Sequence, residues 1–333
     1  MAPAGTAAAR ASGQGRGVGV IETSTRPVAG TLAARRQYLL GHDWRLGYGL
    51  TIPVVIIIVG LIAYPLGYSV WLSLQDVKLG GQGTFVGLGN YSKILIDAGA
   101  RIHDQFWNSA RITVLYTGAA LLGKFILGMT TALILNAQIK GRHFWRALLF
   151  LPWAVPAIVS AYSWKWIYND VNGVLNTLLL QLGLIDRPIL FLADPDLALW
   201  SVLAAVIWQG TPFWTMTFLA GLQSLSAEMY EAAQIDGAST FKSFWHITLP
   251  NLAGVILVTA MLSAIFTTNS IQYVYILTNG GPGEATQTFP LLAINQGLRA
   301  YDLGMAATIP LVFLPVFAVM IYFLTRRMLR REA

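Results

Sequence analysis

Long apolar stretches separated by short polar segments dominate the chain: 46–74, 112–136, 147–164, 197–227, 247–283 and 303–325. A helix needs about 20 apolar residues to cross roughly 30 Å of hydrocarbon, and each stretch contains or approaches that length. The pattern predicts an all-α membrane protein with six transmembrane helices and both termini on one side. It divides the chain into a tail, residues 1–40, and a transmembrane domain, residues 45–333. The tail is rich in Ala, Gly, Thr and Arg with almost no apolar clustering, so disorder is expected there. It also lacks the apolar core and small-residue cleavage site of a secretory signal.

Prolines and glycines mark where regular structure should fail. Pro152 and Pro156 in the third stretch predict a kink, tolerable at membrane depth when a neighbour or a cavity satisfies the freed carbonyls. The glycines and Asn90 of FVGLGNY, 85–91, favour turns over any regular element, in an outer loop that also holds an interfacial helix. Trp166 and Tyr168 read as interfacial belt residues. The acidic loop 169–196 and the turn-rich loop TNGGPGEATQTFP, 278–290, fall on the outer face, where a soluble partner could dock.

Composition agrees with a bilayer: 55% of the 333 residues are hydrophobic and 11% charged. Charge placement then orients the chain. With a cytoplasmic N-terminus, inner segments hold fourteen lysines and arginines, among them Lys140, Arg142, Arg146, Lys242 and Arg326, whereas the outer loops hold fewer, among them Lys78, Lys93, Arg101, Arg187 and Arg299. That asymmetry predicts a multi-pass plasma-membrane protein with both termini cytoplasmic. It also accounts for most of the +7 net charge, which leaves no reason to invoke nucleic acid. Absence of cysteine excludes disulfides, thiolate metal sites and thiol nucleophiles. The four histidines have no metal-like spacing, so neither a metal site nor a catalytic residue is expected.

Between two apolar stretches lies EAAQIDGASTFKSFWHITLP, 231–250. Residues 225–235 can form a short helix, Gly237 can adopt the positive φ that ends it, and Ser239 or Thr240 can cap a second. A helix-turn-helix projecting into the cytoplasm results, with Phe241, Phe244 and Trp245 on one side of the second helix. Composition alone equally allows an amphipathic helix resting on lipid headgroups. The spacing, Glu231-Ala232-Ala233, three residues, Gly237, nine residues, Ile247-x-Leu249-Pro250, resembles the EAA loop of ATP-binding-cassette importer permeases.

FVGLGNY, FLPWAVPAIVSAYSWKWIYND, FWTMTFLAGLQSLSAEMYEAAQIDGA and LTNGGPGEATQTFP extend the likeness from about residue 45 to the end. Together they resemble the MalF-type permeases of type I ABC carbohydrate importers, most of all trehalose importers of mycobacteria. The resemblance implies a heterodimer with a second permease subunit, two ATPase subunits that bind ATP and magnesium, and an extracytoplasmic sugar-binding lipoprotein. It implies no cofactor in this chain, and a di- or oligosaccharide, trehalose among them, as cargo. Within the EAA coupling loop, 225–250, it assigns the ATPase contact to Glu231, Ala233, Asp236 and Gly237. The large outer domain of some maltose permeases is missing, so receptor docking must rely on shorter loops.

The same resemblance places the sugar pocket at Gln209, Gly210 and Phe213, then at Phe266, Thr267 and Ser270, with Asn269 and Gln272 as adjacent candidates. Helical spacing agrees, since 209 and 213, like 266 and 270, are i,i+4 pairs. Aromatic faces for sugar C–H surfaces and amides or hydroxyls for sugar hydroxyls are both present. Ordinary helix packing, with Ser and Thr as interhelical glue, is the other reading.

Other classes are weaker. Gly118 to Lys124 satisfies GxxxxGK, but Phe125 stands where magnesium needs a hydroxyl and the motif lies inside an apolar stretch, so it reads as coincidence. All 15 carboxylates fall outside the stretches, which argues against an ion-coupled carrier. A permease for a non-carbohydrate solute remains the alternative within the ABC class.

Overall fold

The computed structural model of the protein describes residues 44–332 apart from 138. The tail, 1–40, for which disorder is expected, lies outside the described residues. The chain forms two units, Met1–Ala63 and Tyr64–Ala333. In the first, α1 (Trp44–Ile58) runs into a π-helical turn, Val59–Ala63.

In the second unit, α2 (Tyr64–Ser73) is followed by a two-residue hairpin ladder, β1 (Gln75–Asp76) and β2 (Thr84–Phe85), then α3 (Gly89–Leu95) and the long α4 (Arg101–Asn136). Next come α5 (Arg142–Ala154), α6 (Ala157–Ile167), α7 (Val174–Gln181) and α8 (Pro195–Gln223). The chain ends with α9 (Ala227–Ile235), α10 (Thr240–Ser243), a π-helical turn Phe244–Thr248, α11 (Leu249–Asn251), α12 (Ala253–Asn269), α13 (Gln272–Leu277), α14 (Phe289–Leu298) and α15 (Leu303–Glu332). The fold is helical, as the apolar pattern predicts.

Among the described residues, four helical runs are long and apolar enough to span: Gly47–Ser73, Arg101–Asn136, Pro195–Gln223 and Ala253–Leu277. The pair Arg142–Ala154 and Ala157–Ile167 makes a fifth if taken as one span, and Leu303–Val316 is a shorter apolar helix. The six apolar stretches therefore correspond to four or five clear spans.

The third stretch is bent by 94° rather than kinked, and the break belongs to Pro156 alone. Val155, the residue before it, is extended at ψ 129°, the conformation that the proline ring imposes, whereas Pro152 stays inside α5. FVGLGNY also departs from expectation. Phe85 lies in β2, and Asn90 and Tyr91 lie in α3, because the buried Asn90 amide donates to Ser73 O (2.9 Å) and Gln75 O (2.8 Å). Satisfying two otherwise free carbonyls outweighs Asn90's turn preference. Tyr168 is not a belt residue: it is buried, and its hydroxyl donates to Ser201 O (3.0 Å).

Among the described residues, α4 and α8 form the most extensive helix pair. A Cβ on Gly123 would stand 2.5 Å from Ile207 Cδ1, and one on Gly128 2.5 Å from Trp214 Cβ, so bare backbone lets the helices touch. Trp214 is fully buried in this contact, edge-on to Phe125 and Phe218, with Nε1 donating to Ser263 Oγ (3.0 Å) on α12. Three helices are thereby held around one mid-span region.

Candidate functional sites: a mid-span cavity and a projecting hairpin

A cavity of about 510 Å³ opens where α4, α8 and α12 meet the break between α5 and α6. Gln209, Gly210 and Phe213 line it from α8, Phe266, Thr267 and Ser263 from α12, and residues 153–157 from the break. Its volume lies within the roughly 300–1,000 Å³ of small-molecule pockets. The structure brings together five residues singled out in the sequence: Gln209, Gly210, Phe213, Phe266 and Thr267.

The Gln209 amide Nε2 donates to Val155 O (3.2 Å), one of the carbonyls that the bend frees. An amide has four hydrogen-bonding positions, so this bond leaves Gln209 with capacity toward the cavity. Phe266 is 69% exposed, an aromatic face held open on the cavity wall. Trp153 adds a second indole-sized face from the break.

Asn269 and Ser270 are not on this wall. Helix α12 ends at Asn269, and Ser270 is extended, so the i,i+4 relation assumed for 266 and 270 does not hold. Ser270 Oγ donates instead to Gln272 Oε1 (2.7 Å), and Asn269 Nδ2 to Ile265 O (2.8 Å). Ser263, one turn before Phe266 and Thr267, lines the cavity face where the resemblance placed Ser270.

Two polar residues of the cavity were missed. Ser263 carries no signal beyond its period. Lys124 does: it is the single charge within the apolar stretches, and it was read only as part of a failed nucleotide motif. It is 5% exposed, its Nζ donates to Thr267 Oγ1 (2.8 Å), and it lines the cavity. A Cβ on Gly210 would overlap Lys124 Cε and lie 2.9 Å from Cδ and 3.0 Å from Nζ. The glycine thus makes the space through which the lysine stem passes.

At residues 227–248 a helical hairpin forms. Ser226 Oγ accepts from Glu228 N (3.2 Å) at the start of α9. At its end Gly237 N bonds Gln234 O (3.0 Å) and Ala238 N bonds Ala233 O (2.8 Å), with Gly237 at φ +76°. This pair of bonds around a left-handed residue is the Schellman motif. Ser239, not Thr240, caps α10, accepting from Lys242 N (3.4 Å). Tyr230 OH and Thr248 Oγ1 (2.9 Å) tie the two arms together.

The rings of Phe241 and Trp245, and of Phe244 and Trp245, meet edge-on, but the three aromatics differ in burial. Phe244 packs toward Leu222 and Leu252, while Phe241 and Trp245 remain 71% and 50% exposed, with Ile235 at 87%. Glu231, Asp236 and Gly237 are exposed and Ala233 partly so. Carboxylates beside uncovered apolar side chains make this end of the molecule suited to a protein partner.

The family described as "Binding-protein-dependent transport system inner membrane component" matches residues 124–331. The chain is 39% identical to the trehalose/maltose transport system permease protein MalF of Thermococcus litoralis, over 87% of this chain and 96% of that protein. It is 29% identical to the trehalose transport system permease protein SugA of Mycobacterium tuberculosis, over 84% and 87%. In fold it is similar to a chain of a bacterial alginate ABC transporter solved in complex with an alginate pentasaccharide-bound periplasmic protein. There the TM-score is 0.74 at 21% identity, covering 90% of this chain and 98% of the other.

Proposed function

Because the chain belongs to the binding-protein-dependent transport system inner membrane component family, and so is a multi-pass transport subunit rather than an enzyme, we propose that it forms half of the pathway of an ATP-binding-cassette sugar importer. The cargo is a di- or oligosaccharide, trehalose among them, in line with what its relatives are named for. A second permease completes the pathway, two ATPases bind ATP and magnesium, and an extracytoplasmic receptor delivers the sugar. Residues 45–333 act as one six-span permease domain with cytoplasmic termini.

The observation that carries this reading is the meeting of Gln209, Phe213, Phe266 and Thr267, from two helices, on one cavity beside a broken span. Aromatic faces pack on sugar C–H surfaces, and the amide and hydroxyl bond sugar hydroxyls. Broken spans are tolerated where they line such a cavity, and one freed carbonyl already has its donor in Gln209. The hairpin supplies coupling: Glu231, Ala233, Asp236 and Gly237 face an ATPase, whose closure moves α9 and α10 and, through the Tyr230–Thr248 tie, the start of α12.

Losing one polar contact typically costs about 0.5 to 1.5 kcal/mol and losing an aromatic face about as much, so Gln209→Leu and Phe266→Ala are each expected to slow uptake several-fold. The measurement is trehalose uptake by proteoliposomes matched for complex assembly, with sugar binding by the isolated receptor unchanged. Undiminished uptake by the double mutant would mean that these residues only pack helices.

Orientation has its own test. A cysteine at position 186 of this cysteine-free chain is expected to react with an impermeant thiol reagent in intact cells, and one at 242 is not. Equal labelling of both positions contradicts the cytoplasmic placement of the hairpin.

A further inference from the structure

The cavity has a sign. Of the side chains lining it, Lys124 alone is charged, and no carboxylate is among them. Its ammonium carries three donors, of which Thr267 Oγ1 occupies one at 2.8 Å. A buried charge is costly unless paired or fully hydrogen-bonded, and intramembrane ionisable groups are accordingly rare outside functional paths. Here the fold makes room for the charge: Gly210 lacks the Cβ that would strike the lysine stem, and Thr267 is placed to receive its end.

We propose that Lys124 is a specificity-determining residue of the pathway, a fixed positive charge that admits neutral or anionic oxygen-rich cargo and rejects cargo bearing a protonated amine. The inference rests on the sugar-importer reading and deepens it. Neutral sugar hydroxyls and ring oxygens accept hydrogen bonds from the ammonium. A cationic group brought into the same low-dielectric space is repelled, a discrimination made by opposition and not by better contacts to the favoured cargo. Phe213 and Phe266 cannot supply the rejection, because an aromatic face attracts a cation, so a preference against the amine has to come from the ammonium.

The test is competition binding on the assembled complex of permeases and ATPases without the receptor, so that receptor selectivity does not enter. The probes are trehalose and a monoamino analogue in which one hydroxyl is replaced by a protonated amine. Wild-type complex is expected to bind the amine at least tenfold more weakly. In Lys124→Met the two probes should fall within about twofold, and Lys124→Arg should keep the preference. Lys124→Gln, which retains a donor for Thr267 without the charge, serves if the methionine variant fails to assemble, and should behave as methionine does. A preference that survives in the uncharged variant, or a wild type that binds both probes equally, overturns the charge filter. Absence of trehalose binding and of receptor-dependent trehalose uptake by wild type defeats the sugar reading itself, a different outcome from either.

Discussion

Gly210→Val is expected to lower receptor-dependent uptake about ten- to a hundredfold while leaving the hairpin and its ATPase contact in place. The added Cβ would overlap Lys124 Cε, and valine's branches have nowhere to turn because Cδ and Nζ already lie at 2.9 and 3.0 Å from that point. A lysine stem is flexible, so the collision can be relieved. Relief, however, withdraws the ammonium from Thr267 and leaves a charge unpaired in a site that is 5% exposed. Hydrogen bonds to charged groups are worth about 1.5 to 3 kcal/mol, and each 1.4 kcal/mol is a factor of ten. Uptake by complexes matched for assembly reads this directly, and Lys124→Ala in the same background removes the stem that valine strikes. If the double variant is no better than Gly210→Val alone, the clash is with something other than the lysine. If Gly210→Val transports normally, the stem has room that the packing does not suggest.

Much of this architecture was legible in the sequence, for identifiable reasons. Hydropathy runs find spans because lipid demands uninterrupted apolar length, and the apolar cores of the helices 101–136 and 195–223 follow from that alone, whereas the first eleven residues of α4 do not. The left-handed turn at Gly237 was legible because few other residues fill that conformation at low cost. What escaped depends on partners distant in sequence. Asn90 sits in a helix because carbonyls 15 and 17 residues away need its amide, which no local turn rule contains. The end of α12 at Asn269 falls inside the apolar stretch 247–283 and carries no hydropathy signal, so the resemblance put Ser270 on a wall that Ser263 occupies. The bend at Val155 and Pro156 was anticipated in place but not in size, since a proline fixes its own φ and its neighbour's range without fixing the next helix's direction. Lys124 was visible all along as the one charge in an apolar stretch. It acquired meaning only when Gly210 and Thr267 were found beside it.

Gly237→Val is expected to uncouple the complex: sugar-stimulated ATP hydrolysis falls several-fold although the chain inserts and the cavity is intact. Nothing lies within 4 Å of a Cβ placed on Gly237, so the effect is one of backbone conformation and not of packing. At φ +76° a side chain costs about 1 to 2 kcal/mol, and a β-branched one sits at the unfavourable end. The strain is relieved by abandoning the turn, which breaks the bonds from Gly237 N to Gln234 O and from Ala238 N to Ala233 O. The exposed Glu231, Asp236 and Ile235 then no longer share a rigid surface with Phe241 and Trp245. A motion imposed on that end is dissipated in the loop before it reaches Thr248 and α12. Asparagine separates this account from a simple loss of glycine, since it enters the left-handed region at lower cost and meets the same open space. Gly237→Asn should retain most of the stimulation that Gly237→Val loses, in complexes shown by co-purification to hold their ATPases. Equal losses in both variants would assign the role to glycine's surface and not to its φ. Full stimulation in an assembled Gly237→Val complex would remove the turn from the coupling path altogether.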